Sequence, residues 1–148
     1  MKTNKIQKFI FVPGKIKQWK KFNYNNFTLW ISGINKKAKF EKIKYYLNEK
    51  EKKINKNKII KILGDQFGII IFHDSWVFSA TDPIRSFPIF WKADKNIIFF
   101  SPQANLLKTK YEIINNEQLK AYRMSGYTTN DQTLWKNIYN LKSGTYLV

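Results

Sequence analysis

Apolar positions in the middle of this chain follow a strand rhythm, and those on either side of it change to a helical one. Phe67 to Phe72 is a continuous apolar run, His73-Asp74-Ser75 is a polar break of turn composition, and Trp76 to Ala80 is a second run of strand length. The pattern predicts a β-hairpin. Pro88-Ile89-Phe90-Trp91 opens a third strand, and Asn96 to Phe100 returns against it. Toward the N-terminus, Lys5 to Val12 alternates loosely and reads as a strand ended by Pro13-Gly14. Lys15 to Phe22 is a second strand, Asn23 to Asn26 a turn, and Phe27 to Ser32 a strand that stops at Gly33. The first third therefore predicts a small antiparallel sheet.

From Lys39 the period lengthens. Phe40, Ile43 and Leu47 recur at helical spacing with Tyr46 beside them, which predicts a helix to about Lys50. The charged run Glu49 to Lys58 reads as a loop or solvated extension whose lysines face water. Ile59, Ile60 and Leu63 predict a short second helix that ends at Gly64, where a residue free to take positive φ is wanted. Beyond Ser101-Pro102 a short helical turn spans Ala104 to Leu107. A further helix runs from about Asn116 to Met124, with Asn115 or Asn116 as N-cap, Leu119 and Tyr122 as the buried face and Gly126 as the stop. Gly144 to Val148 closes as a strand. Helices between two groups of antiparallel strands indicate a layered α+β domain covering residues 1–148.

Composition adds exclusions. The chain of 148 residues is 43% apolar and 17% aromatic, material enough for a domain that buries roughly 68–70% of its unfolded surface. It contains no cysteine, so disulfides, thiolate catalysis and cysteine metal sites are excluded. No apolar run reaches the roughly 18 residues of a membrane span, and basic Met1 to Lys8 leads only into Phe9 to Val12, too short for a signal peptide. The expected compartment is the cytoplasm, with no membrane partner.

The net charge of +17 raises nucleic acid or an anionic surface as a partner. Against that, only Arg85 and Arg123 among the 27 cations are arginine. Base readers and phosphate clamps favour the rigid guanidinium fork. A basic nucleic-acid-binding module thus stays an alternative, with the abundance of Lys, Asn and Ile, as A/T-rich codons encode, the simpler account.

Four blocks in order resemble one known family. Leu63-Gly64-Asp65-Gln66-Phe67-Gly68 through Asp74, Ala80-Thr81-Asp82-Pro83-Ile84-Arg85-Ser86-Phe87-Pro88-Ile89-Phe90-Trp91, Phe99 through Leu107, and the tail Gly126-Tyr127, Thr133 to Ile138 and Leu141 to Leu147 are similar to segments of the N-terminal class II glutamine amidotransferase domain of asparagine synthetases. The likeness runs from about Ile59 to the end. It implies a four-layer αββα sandwich of the N-terminal-nucleophile type. It also implies a partner, an ATP-dependent synthetase domain encoded beyond Val148 or carried on another chain, with ATP and Mg belonging to that domain and no cofactor in this one.

In that family an N-terminal cysteine attacks the glutamine amide with its own α-amine as base. This chain begins Met1-Lys2-Thr3 and has no cysteine; Thr3 could take the role only after two residues were removed, so no catalytic residue is assigned. Nothing between Pro13 and Phe27 matches the segment that grips the glutamine carboxylate. In Ile31-Ser32-Gly33-Ile34-Asn35 the resemblance keeps the oxyanion-hole glycine as Gly33 but puts Ser32 where asparagine stands. A lost oxyanion donor costs roughly 10²–10³ in rate. Asp82 matches the family's partner for the glutamine ammonium, while its plain reading is a turn cap before Pro83. Arg85 replaces the family's glycine and is expected to form a structural ion pair with Asp82. The lone His73 gives little support to a metal cluster or a Ser-His-Asp triad, and with Asp74 reads as turn-forming. Tryptophans 19, 30, 76, 91 and 135 read as core. The expectation is a degenerate amidotransferase-like domain without glutaminase activity that serves as scaffold or regulatory partner of a synthetase domain. The alternative enzyme reading is an active glutamine hydrolase supplying ammonia.

Overall fold

The computed structural model describes residues 8–15, 17–49 and 54–147. Thr3 lies outside them. The expected single domain divides into two compact units: Lys17–Phe87 with Ser143–Val148, and the described residues of Met1–Ile16 with Pro88–Lys142. Each unit carries one sheet, so the molecule is mixed α+β with two sheets and three α-helices among the described residues.

The first unit is built on a five-stranded sheet. Its strands are β2 (Lys20–Tyr24), β3 (Phe27–Gly33), β4 (Phe67–His73), β5 (Val77–Thr81) and β9 (Tyr146–Leu147), adjacent in that order and antiparallel throughout. The hairpin expected around His73 is β4 and β5. Register decides which side chains of β4 face the helices. Leu29, Ile71 and Phe78 stand opposite one another, as do Ile31, Ile69 and Ala80, and successive residues of a strand point to opposite faces. All six are buried in one cluster with Phe40, Ile43 and Tyr46 of α1 (Lys36–Glu49) and Ile59 and Leu63 of α2 (Lys56–Leu63). Each buried Leu, Ile or Phe among them contributes about 1.5–3 kcal/mol. Helix α2 starts where the Asn55 side chain accepts the Lys58 amide at 3.2 Å and ends at Gly64 with φ 75°.

The second unit holds a four-stranded sheet, with β1 (Lys8–Phe11), β7 (Ile97–Ser101), β6 (Phe90–Asp94) and β8 (Tyr139–Asn140) in that order. Here the antiparallel reading of the first strand is corrected. β1 does not pair with β2; it runs parallel to β7, and the Ser101 hydroxyl donates to Val12 O at 2.9 Å. Parallel pairing needs a long crossover, and the local alternation of Lys5 to Val12 carries no trace of a partner that far along the chain.

Helix α3 (Asn116–Ser125) is capped at both ends as its sequence implies. The Asn115 side chain accepts the Gln118 amide, and Gly126 is left-handed with φ 82°. Its inward face is not as expected. The buried residue is Gln118, Leu119 is half-buried, and Tyr122 is exposed. The tryptophans also depart from expectation, for Trp19 alone of the five is fully buried. An indole at the end of a strand or on a rim keeps one side wet.

Candidate functional site

Ser32, Gly33 and Asp82 are brought together at one end of the five-stranded sheet. Ser32 pairs with Gly68 and Gly33 with Phe67 across β3 and β4, and Gly68 pairs with Thr81 across β4 and β5. Asp82 follows Thr81, and its amide donates to Phe67 O at 3.2 Å. Sheet register thus brings Ser32 and Asp82 to the same end of the sheet, although fifty positions separate them in sequence.

Asp82 is fully buried, and its carboxylate is occupied by backbone. Oδ2 accepts the Phe67 amide at 3.0 Å, Oδ1 accepts the Ile84 amide at 3.0 Å, and the Ser86 amide is shared between both oxygens at 3.2 Å. Its carbonyl accepts the amides of Arg85 at 3.0 Å and Gly144 at 3.1 Å. One side chain therefore ties the start of β4 to the turn at 83–86, and the same residue's backbone ties in the chain ahead of β9. The carboxylate is shut away from solvent and already accepts three backbone amides. This is the turn-cap arrangement, in a form that closes three separate segments.

The expected ion pair with Arg85 is corrected by this geometry. Asp82 and Arg85 are joined through backbone, and among the described residues no acidic group stands within ion-pair distance of the guanidinium. Arg85 is half-buried, and desolvation lowers its pKa from the ordinary arginine range. It also sits at φ 54°, where a Cβ is strained. Arg85→Gly is accordingly expected to stabilise the protein by about 1 kcal/mol, the relief of the left-handed strain exceeding the entropy that glycine restores to the unfolded chain. Arg85→Ala retains the strain and should give less. Urea midpoints of the two variants check the order.

The remaining groups at this end of the sheet are likewise engaged. Ser32 is fully buried and its hydroxyl donates to Gln18 O at 3.1 Å. The Thr81 hydroxyl reaches Phe87 O at 3.4 Å. Gly68, between them, is covered: a Cβ there would lie 2.7 Å from Trp19 Cη2 and 2.9 Å from Phe87 Cβ. Ser32, Gly68 and Thr81 share one face of the sheet by register, and Trp19 and Phe87 fill the space above the glycine that divides the two hydroxyl-bearing residues. Gly33 is held at φ 110°, and a Cβ would meet Gln66 O at 2.5 Å. A glycine is required here by close approach of backbone.

Nothing local in the sequence marks Trp19, Phe87 and Gln18 as members of this site. The one available signal is the glycine inside an apolar strand, which marks a place where another group comes close; it does not say which.

The other end of the same sheet carries a groove of about 410 Å³ lined by Asn23–Thr28, Phe72, His73 and Asp74. His73 is expected in the turn but is the last residue of β4, paired with Phe27, and the turn itself is made by Asp74 and Ser75. Its Nδ1 accepts the Ser75 amide at 3.1 Å, its Nε2 meets the Asn26 side-chain amide at 2.9 Å, and its ring stacks on Trp76 at 4.7 Å between centroids. Both ring nitrogens are occupied. Among the described residues no three histidines or carboxylates are grouped to hold a metal ion, and no helix is long and apolar enough to cross a membrane.

Comparison with known proteins returns no match: no protein-family model, no curated protein and no solved structure is significantly similar to the chain.

Proposed function

We propose that this chain is a degenerate amidotransferase-like domain of the asparagine-synthetase type, folded as an αββα sandwich, without glutaminase activity, and acting as scaffold or regulatory partner of an ATP-dependent amide-forming synthetase domain in cis or in trans. The observation that carries the reading is the state of Asp82. The residue that in the resembling family receives the glutamine ammonium here spends both carboxylate oxygens on the amides of Phe67, Ile84 and Ser86. Two further features point the same way. The Ser32 hydroxyl, in the place of an oxyanion-hole donor, is turned to Gln18 O, and Trp19 with Phe87 covers Gly68 between Ser32 and Thr81. The hairpin, the glycine at Gly33 and the aspartate turn are the features on which the reading likens this chain to that family. The described side chains that the resemblance assigns to amide binding, Ser32 and Asp82, are engaged within the fold.

The test is ammonia release from glutamine by the purified chain, alone and with a synthetase domain supplied. The reading expects release at the level of buffer in both cases, unaltered by Thr3→Ala. Release that depends on protein concentration and disappears in Thr3→Ala would establish an active hydrolase in its place.

A further inference from the structure

The groove between the turns at 25–26 and 74–75 departs from the charge of the chain around it. At about 410 Å³ it has the size of a small-molecule site. Cations make up 27 of the 148 residues, yet none of the nine that line the groove is lysine or arginine, while three are asparagine and one is Asp74. Register sets the two turns side by side, because Phe27 at the end of one faces His73 at the end of the other across β3 and β4.

The walls are held by bonds that leave part of each polar group over. Asn23 Oδ1 accepts the Thr28 hydroxyl at 3.2 Å, the Asn26 amide meets His73 Nε2 at 2.9 Å, and the Tyr24 hydroxyl accepts the Asn48 amide at 3.0 Å. The Asn23 amide nitrogen, the second polar atom of Asn26, the whole Asn25 amide and both Asp74 oxygens bond to no described residue, and Asp74 forms no ion pair with one. Donors and acceptors therefore stand together in one concavity, two of the amides already oriented by a neighbour, which lowers the cost of ordering them around a ligand.

The lining selects the chemistry of that ligand. An anion would meet no cation in the groove and would face Asp74. A metal ion would find one carboxylate where hard cations gather six or more oxygens, in a chain whose net charge of +17 repels it. A hydrocarbon would strand the amides without partners. A neutral ligand rich in hydroxyls suits all of them, since a carboxylate or an amide sets two polar atoms side by side against two adjacent hydroxyls. Phe72, half-buried in the same lining, adds apolar surface for the C–H groups of a sugar ring. We infer that this groove binds a neutral carbohydrate, with Asp74 accepting from its ring hydroxyls and Asn23 and Asn26 completing their hydrogen bonds. The inference stands whether or not the amidotransferase reading holds.

The test is a titration of the full chain with glucose, galactose, mannose, N-acetylglucosamine and maltose, followed by amide-resolved nuclear magnetic resonance, beside calcium chloride, sodium phosphate and a single-stranded oligonucleotide. At least one sugar is expected to bind with a Kd on the order of 1 mM and to shift the amide signals of residues 23–28 and 72–74 together. That binding should weaken about tenfold in Asp74→Ala and in Asn26→Ala, and stay unchanged in Tyr45→Ser, an exposed residue of α1. Circular dichroism confirms folding, and if Asn26→Ala fails to fold, Asp74→Ala carries the test. No saturable shift with any of the five sugars, shifts confined to other residues, a sugar indifferent to Asp74→Ala, or movement of the same signals by calcium, phosphate or the oligonucleotide in the sugar's place would overturn the inference.

Discussion

Asp82→Ala is expected to cost about 3–5 kcal/mol, enough to unfold much of a protein with ordinary marginal stability. The estimate follows from the number of amides set free. Phe67, Ile84 and Ser86 would each lose the fully buried carboxylate as acceptor, Phe67 at a buried position and Ile84 and Ser86 at exposed and half-buried ones, and an unsatisfied buried amide costs about 1–3 kcal/mol, less whatever water recovers. Asp82→Asn keeps one acceptor oxygen and should lose roughly half as much. Guanidinium denaturation of both variants checks the order. A residue used mainly to hold a ligand would give the opposite outcome, with stability unchanged or raised on its removal, because functional carboxylates are commonly held at a cost to the fold.

The second large effect belongs to Gly33→Ala, expected to destabilise by about 3 kcal/mol. Two terms add. At φ 110° an alanine is strained, and its Cβ would press on Gln66 O at 2.5 Å, a backbone atom with nowhere to rotate. Gly126→Ala serves as the comparison, since at φ 82° nothing stands within 4 Å of its Cβ. That variant should lose about 1–2 kcal/mol, the strain term alone. Thermal melts of the pair separate strain from collision. If Gly33→Ala proved no worse than Gly126→Ala, the close backbone approach at this end of the sheet would be in error.

These two residues show what could be read in advance. The hairpin around His73 was legible because two apolar runs of strand length flank a turn of three polar residues, and that is local information. The same holds for Asn115, Gly64 and Gly126 at helix ends, where the chemistry of a cap lies within four residues of what it satisfies. Asp82 was legible as a turn residue from Pro83 beside it. That its carboxylate also reaches Phe67 follows only once β4 and β5 pair, fifteen residues apart in sequence. Trp19 over Gly68, β1 beside β7 and Glu112 against Lys92 are contacts of the same kind or longer range, with no local counterpart in composition or period. The expected Asp82–Arg85 ion pair failed for a related reason. Spacing put the two residues together, but the turn spends the carboxylate on amides and lifts Arg85 to positive φ. Helix α3 misled by its pattern: Leu119 and Tyr122 have the right period for an inward face, yet the helix rests on Gln118 and its polar partners, an outcome that depends on Thr129 and Gln132 arriving from beyond the helix.

Asp82 serves either the fold or a ligand. The most direct measurement is an amide-resolved nuclear magnetic resonance titration of the chain with glutamine. The signals of Phe67, Ile84 and Ser86 should stay unmoved up to tens of millimolar glutamine and exchange slowly with solvent. Saturable shifts of those three amides together, with loss of their protection, would mean that the carboxylate releases them to a ligand, and would contradict the account.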